Sequence, residues 1–269
     1  MRALDIDMDF FLSGPCELAE IGKRPSGGEA QPWSEAEVRA FLEVNCGLSK
    51  EHPIPGAVFE THDTALSYWQ EHCTFPMDVT HIDTHSDLGI GKPGPAFVLE
   101  SVITRKPGSR GTINEYYEKK QLDEANYLLF AIAFRWVRSL ENVRNPLSRP
   151  DMPAFCDDGK LQLVSSTGRI LPALNHNEPI IPFTVYNDWR EFRWDSSNPS
   201  GLSGQLPLHR GAMGYEETLS AYDQQCVVDA RNRTTDGRPY DCATMAISPR
   251  YAPESADFII DIFREYITE

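Results

Sequence analysis

A chain of 269 residues, 41% of them apolar and 10% aromatic, can bury the core of one large α/β domain and is not composed like a disordered segment. Its net charge of −15 disfavours binding to a phosphate backbone, which requires a basic face, so no nucleic-acid partner is expected, whereas cationic substrates and divalent ions remain compatible. No apolar run approaches the roughly 18 residues of a membrane span. Met1-Arg2-Ala3-Leu4 leads into aspartates where a secretory signal would be apolar, so a cytoplasmic protein without a membrane partner is expected.

In chain order, Arg2 to Phe11 reads as a buried strand, broken by the turn residues Ser13-Gly14-Pro15, and a loop follows from Gly22 to Pro32. Ser34 with Glu37 forms the pattern of a capping box, which opens a helix through about Leu48. A short strand at Ala57-Val58-Phe59 leads to His62 and a helix from Asp63 to about His72, and Asp78 to Ile82 is the next strand. Gly89 to Pro95 is loop. Leu128, Leu129, Ile132 and Trp136 recur at helical spacing within a helix expected over Leu122 to Val137. Arg144 to Pro153 is proline-punctuated loop, and later strands are expected at Lys160 to Val164, Pro179 to Val185 and Ala243 to Ile247. Asn198 to Tyr215, rich in Gly, Ser and Pro, reads as a long loop or lid, and an amphipathic helix from about Glu254 to Ile267 closes the chain. Strands alternating with helices predict a three-layer α/β/α sandwich around a mainly parallel sheet, with residues 1–269 forming a single domain. The cysteines Cys16, Cys46, Cys73, Cys156, Cys226 and Cys242 include no C-x-x-C pair, which argues against a zinc knuckle or a disulfide framework.

Two acidic clusters carry the chemistry. Asp83-x-His85-x-Asp87 follows an apolar strand, so its residues turn into the sheet's C-terminal edge, where α/β proteins place ligands. Two carboxylates and an imidazole converging there suit a divalent cation of intermediate hardness, such as Mn²⁺, Fe²⁺, Co²⁺ or Zn²⁺. A solvated acidic loop is the plain alternative, and the position directly after a strand, with His81 as a further polar residue, argues against it. Asp5-x-Asp7-x-Asp9 makes the same case independently, since three aspartates alternating within an apolar strand need something cationic to neutralise them. A lone histidine is more often a surface or satisfied core residue. His62, between a strand and a helix and shortly before the second cluster, is nevertheless placed to be a ligand.

These residues resemble the ureohydrolases, the arginases and agmatinases, which hold two manganese ions between a single His, a D-x-H-x-D and a D-x-D. The chain is more similar still to a divergent arginase-like family that includes peptide arginases of ribosomal-peptide (RiPP) biosynthesis. The phrases that carry this likeness are Leu4-Asp5-Ile6-Asp7 through Phe11, Glu60 to Asp63, His81 to Leu88, and Ile247-Ser248-Pro249-Arg250-Tyr251-Ala252-Pro253. The resemblance implies two Mn²⁺ held by Asp7, Asp9, His62, Asp83, His85 and Asp87, with Asp83 and Asp87 bridging and Asp5 in support. In arginases proper the D-x-D comes last, whereas here it opens the chain, which implies an arginase-like fold with altered strand order.

The implied reaction is hydrolysis of arginine side chains in a precursor peptide to ornithine, with release of urea. Two ions roughly 3.5–4 Å apart would lower the pKa of a shared water. Asp87 is the residue expected to hold that water and relay its proton. Glu60 is the carboxylate expected to orient the cationic substrate, or alternatively to hydrogen-bond a histidine ligand. The loop at 198–215 would line or gate the approach. Free arginine, agmatine or another small guanidino compound is the alternative substrate. Other classes that the residues admit are a D-x-D phosphatase, a non-catalytic metal-binding or interaction module, and a single-metal deacetylase, which would need fewer carboxylates than are offered.

Overall fold

A computed structural model describes residues 1–14, 18–26, 28, 30–89, 93–153, 156–157, 159–163, 178–193 and 239–269. In chain order the elements are β1 (Arg2–Asp7), α1 (Glu35–Ala40, prolonged by a π turn at Phe41–Asn45), β2 (Ile54–Phe59), α2 (Ala65–His72) and β3 (Met77–Asp83). There follow α3 (Pro95–Phe97, prolonged by a π turn at Val98–Val102), α4 (Ile113–Glu118), α5 (Tyr127–Ala133) and β4 (Val137–Arg144). The last are β5 (Cys156–Asp157), β6 (Gly159–Leu161), β7 (Ile181–Tyr186), β8 (Cys242–Ala246), α6 (Phe258–Arg264) and β9 (Ile267–Thr268).

Among the described residues, the strands join one nine-stranded sheet in the order β5-β6-β7-β4-β3-β1-β8-β2-β9. From β7 to β9 every pairing is parallel, and the β5–β6 hairpin adds an antiparallel edge. β1 lies between β3 and β8 and is buried along its whole length. Its side chains alternate between two cores, as the period of a strand dictates. Leu4 and Ile6 pack with Val38 and Phe41 near α1 and with Ile259, Ile262 and Phe263 of α6. Ala3 packs on the opposite face with Leu66 and Trp69 of α2 and Leu128 of α5. Helices on both faces make the three-layer α/β sandwich expected from the alternation of elements. Burying Leu4 and Ile6 stabilises by roughly 1.5–3 kcal/mol each, which helps to hold a strand that also buries Asp5 and Asp7 on Ala3's face.

From β1 the chain crosses to β2 on one side and then returns to β3 on the other. The chain thus leaves the C-terminal ends of the adjacent strands β1 and β3 in opposite directions, towards β2 and towards β4, and such a switch point opens a crevice between them. Asp7 and Asp83 end the adjacent strands β1 and β3 at that crevice.

Several boundaries differ from those expected. The first strand stops at Asp7, because the Asp7 carboxylate accepts the Asp9 N–H at 3.0 Å and turns Met8–Phe11 into a 3₁₀ turn. The helix expected to reach Val137 ends at Ala133. Arg135 takes a left-handed φ of 63° and Val137 opens a strand, β4, that the apolar spacing had concealed. A bulge accounts for that spacing: Met77 pairs with Val137 and Asp78 with Ser139. With Arg138 inserted, Val137 and Leu140 enter the same core although three residues apart. The closing helix ends at Arg264, and Ile267 pairs instead with Ile54 as an edge strand. The segment 198–215, residues 164–177 and two of the cysteines, Cys16 and Cys226, lie outside the described residues. Cys73 and Cys242, distant in sequence, bring their sulfurs within 3.7 Å where α2 ends against β8. Among the described residues, no helix is long and apolar enough to cross a membrane.

Gly56 lies where β2 passes between β8 and β9. A Cβ there would collide with the Ala243 carbonyl oxygen and meet Ile267 Cγ2 at 2.7 Å. Gly56→Ala is therefore expected to cost roughly 1–3 kcal/mol, read as a lower urea midpoint at unchanged slope.

Candidate metal centre

Alternation in two neighbouring strands builds the floor of the site. Asp5 and Asp7 of β1, and His81 and Asp83 of β3, share the sheet face that α2 and α5 cover, with Asp5 paired in register to His81. His62 enters from a 3₁₀ turn (His62–Thr64) between β2 and α2. Asp9 comes from the turn after β1, and His85 and Asp87 come from the loop after β3. That loop is pinned from outside the cluster. Arg144 donates to the Thr84 carbonyl at 3.0 Å and to Asp151 at 2.6 Å, and Asp151 accepts the Ser86 N–H at 2.6 Å. Asp87 and Ser248 both take left-handed backbone, with φ of 51° and 46°. Such conformations in non-glycine residues persist only where the surroundings enforce them.

Two groups of donor atoms result, each with all its atoms within 4.8 Å of one another. One is His62, His81, Asp83 and Asp87, and the other is Asp9, Asp83 and His85. Asp83 belongs to both. Its Oδ2 lies 3.4 Å from both His62 Nδ1 and His81 Nε2, while its Oδ1 lies 3.5 Å from His85 Nδ1 and accepts the His85 N–H at 2.8 Å. The first group is the inner one: the His62 side chain is 1% exposed and that of His81 0%, against 42% for His85. Asp9 Oδ2 lies 3.3 Å from His85 Nδ1 and accepts the Thr84 hydroxyl at 2.6 Å.

The electrostatics call for a cation. Five carboxylates (Asp5, Asp7, Asp9, Asp83, Asp87) meet three imidazoles, so with all five ionised negative charge would remain even if every histidine were protonated. Burial, then the charges of Asp7 and Asp83, push the Asp9 carboxyl up to about 8. Burial, then Asp83, push Asp87 up to about 7. Burial also opposes ionisation of Asp83, but His62 and His85 outweigh it and hold that carboxyl well below the usual range. Burial opposes charge on His62 too, but Asp5 foremost outweighs it and raises the imidazole well above its ordinary value. Buried polar atoms without a hydrogen-bond partner cluster here: Asp9 Oδ1, both ring nitrogens of His62, His81 Nε2 and Asp83 Oδ2. Such atoms are costly unless something binds them. The residues therefore fit a divalent ion, and the buried cluster of His62, His81, Asp83 and Asp87 could hold one.

A cavity of about 230 Å³ opens on this cluster, walled by Asp7, His62, Asp83, His85 and Asp87 and rimmed by Glu124, Asp151 and Tyr251. Of the residues expected from sequence, Asp9, His62, Asp83, His85 and Asp87 fall within the two donor groups. Asp7 lies against them, its Oδ2 3.3 Å from His62 Nδ1, but its carboxylate also accepts the Asp9 N–H and the Ser248 hydroxyl, and it joins neither group. Glu60 requires a correction. The chain bends after Phe59, so strand alternation no longer applies: Glu60 is exposed, its carbonyl accepts the Ser248 N–H at 3.0 Å, and it does not line the cavity. Glu124 stands at the rim instead. The structure adds His81 to the expected ligands: it sits two residues before Asp83 and so on the same face of β3. Tyr127 and Thr244 come from distant parts of the chain, and no local pattern marks them; Ser248 belongs to the Ile247–Pro253 phrase, which marks it without giving it a role.

Comparison with protein-family models, curated proteins and solved structures finds no match to this chain.

An ion entering the cluster must displace protons from Asp9 and Asp87, which hold them wholly or in part at pH 7 when no ion is bound. Metal uptake at pH 7 is therefore expected to release protons, and affinity should weaken as the pH falls from 8 to 6. Calorimetric titration in two buffers of different ionisation enthalpy measures this. A binding enthalpy that does not depend on the buffer would contradict it.

Proposed function

We propose that the protein is a two-metal hydrolase of guanidinium groups, converting arginine side chains in a peptide to ornithine and urea. The observation that carries this reading is Asp83, which offers one oxygen to each of two adjacent donor groups, as a carboxylate shared between two ions would. The mixed imidazole and carboxylate donors suit Mn²⁺, the metal that the ureohydrolase-like phrases imply. Divalent ions held there would supply a water of lowered pKa and polarise the carbon under attack. The chain's own residues do the rest. Asp87, on the cavity wall, takes the proton of the incoming water and passes it to the departing amine. Glu124 is half-buried at the rim, with no hydrogen-bond partner for its carboxylate among the described residues, and it takes the orienting role that sequence had given to Glu60. Asp151 is already paired with Arg144 and is less free to do so. The cavity is small and its described lining includes no Lys or Arg, which suits a single cationic side chain or small guanidino compound better than a phosphate ester. A phosphatase reading would also need Asp5 or Asp7 as nucleophile, yet two donors already occupy each of these buried carboxylates.

With Mn²⁺ supplied, an arginine-containing peptide is expected to yield equal amounts of ornithine and urea, and faster than free arginine does. Asp87→Asn should lower kcat by roughly 10²–10⁴-fold, the usual range for a lost general base. Glu124→Gln should act mainly on KM. If neither the peptide nor any small guanidino compound releases urea, the hydrolase reading fails, whatever metal is bound.

A further inference from the structure

Asp5 does not line the cavity; it lies wholly buried against His62 and His81. Its Oδ1 accepts the Thr244 hydroxyl at 2.6 Å, and its Oδ2 accepts the Tyr127 hydroxyl at 2.5 Å. The same Oδ2 lies 3.2 Å from His62 Nε2 and 3.5 Å from His81 Nδ1. The two hydroxyls donate to the carboxylate and the two imidazole nitrogens face it, so it needs no proton of its own. A tyrosine hydroxyl has a single hydrogen, and that of Tyr127 is directed at Asp5. Towards His81 Nδ1, 3.3 Å away, its oxygen can only accept. His81 must then carry its proton on Nδ1, which leaves the lone pair of Nε2 facing Asp83 and Asp87 at 3.4 and 4.0 Å.

His62 is held by the same pair in the opposite sense. Its ring lies tilted over that of Tyr127, with centroids 4.7 Å apart and planes at 31°. That pose turns Nε2 to Asp5 and Nδ1 to Asp7, Asp83 and Asp87, at 3.3, 3.4 and 3.1 Å. The two inner histidines thus present different nitrogens to the same point, and one buried carboxylate faces the nitrogens that remain.

We propose that Asp5 and Tyr127 form one positioning unit that selects Nε2–H in His62 and Nδ1–H in His81, making His62 Nδ1 and His81 Nε2 the ligating atoms of the inner metal position. The inference rests on the metal-centre reading and is independent of the substrate. Neither Asp5 nor Tyr127 touches the ion. They act through the histidines, as outer hydrogen-bond partners of metal ligands generally do, with effects of 10–100-fold on affinity.

The test is Zn²⁺ affinity, measured by competition with a chromophoric chelator, for the wild-type chain, Tyr127→Phe, Asp5→Asn and the double variant. Tyr127→Phe keeps the ring over His62 and removes only the hydroxyl, so it should fold as the wild type does and bind Zn²⁺ about 10–100-fold more weakly. The double variant should be no weaker than the weaker single one, because both substitutions disable one unit. A long-range proton–nitrogen spectrum of the Zn²⁺-loaded wild type should show His81 protonated at Nδ1 and His62 at Nε2, a signature that a merely structural role would not set. Wild-type affinity in Tyr127→Phe, or the opposite tautomers, would overturn the proposal alone. A wild-type chain that takes up no Zn²⁺ would overturn it together with the metal centre. Should Asp5→Asn fail to fold, the Phe variant and the spectrum still decide.

Discussion

An excess of negative charge buried at the ends of two adjacent parallel strands is the constraint around which this protein is organised. Carboxylates this close, away from water, repel one another strongly, and each loses hydration worth several kcal/mol. The chain answers in three ways. It interleaves His62, His81 and His85 among the aspartates, it aims hydroxyls and backbone N–H groups at individual oxygens, and it leaves a set of atoms unpartnered around a space that a cation would fill. The first two measures leave Asp9 and Asp87 pushed towards neutrality by burial and by their acidic neighbours. The third completes the balance, and it ties the stability of the cluster to its occupancy.

The rest of the fold reads as support for that arrangement. The parallel sheet brings the C-terminal ends of β1 and β3 side by side, and the chain leaves these two strands in opposite directions, so the crevice between the crossovers falls on the cluster. Packing on the two faces divides the work. The core around α1 and α6 is apolar, with Leu4, Ile6, Ile82 and Met245 from the sheet. The core on the other face contains Tyr127 and Trp69, and it grades from hydrocarbon into the polar floor beneath the site. Arg144, from the end of β4, fixes the loop that carries His85 and Asp87, so a strand whose existence the apolar spacing concealed positions two of the donors. From Asp5 outwards the cluster is graded in exposure, from a carboxylate with no access to water to His85 at the mouth.

Much of the fold and of the site was legible in the residues. The period-2 alternation of Asp5 and Asp7 predicts a shared face, and an acidic strand end predicts a cation; both are local properties that do not depend on the rest of the chain. The capping box of Ser34 and Glu37 forms as read, because its two hydrogen bonds close within a single turn. Reading failed where a non-local interaction overrode a local one. Val137 and Leu140 are spaced as in a helix, but a bulge opposite β3 puts them in one core. Ile267 continues an amphipathic helical pattern, but the free edge of β2 draws it into the sheet. Glu60 alternates with His62 in sequence, but the chain bends between them.

What the sequence determined by itself is therefore the kind of chemistry: two acidic clusters and a histidine that ask for a cation, because residue type and spacing alone set charge and facing within one strand. What only the tertiary structure decided is how those groups are shared and held. Asp83 faces two donor groups because the turn after β2 brings His62 to one side of it and the turn after β1 brings Asp9 to the other. Glu124 replaces Glu60 at the rim, and Tyr127 and Thr244 converge on Asp5 from distant parts of the chain. No pattern along the sequence encodes such meetings, since they depend on which strands lie side by side and on which helix covers them.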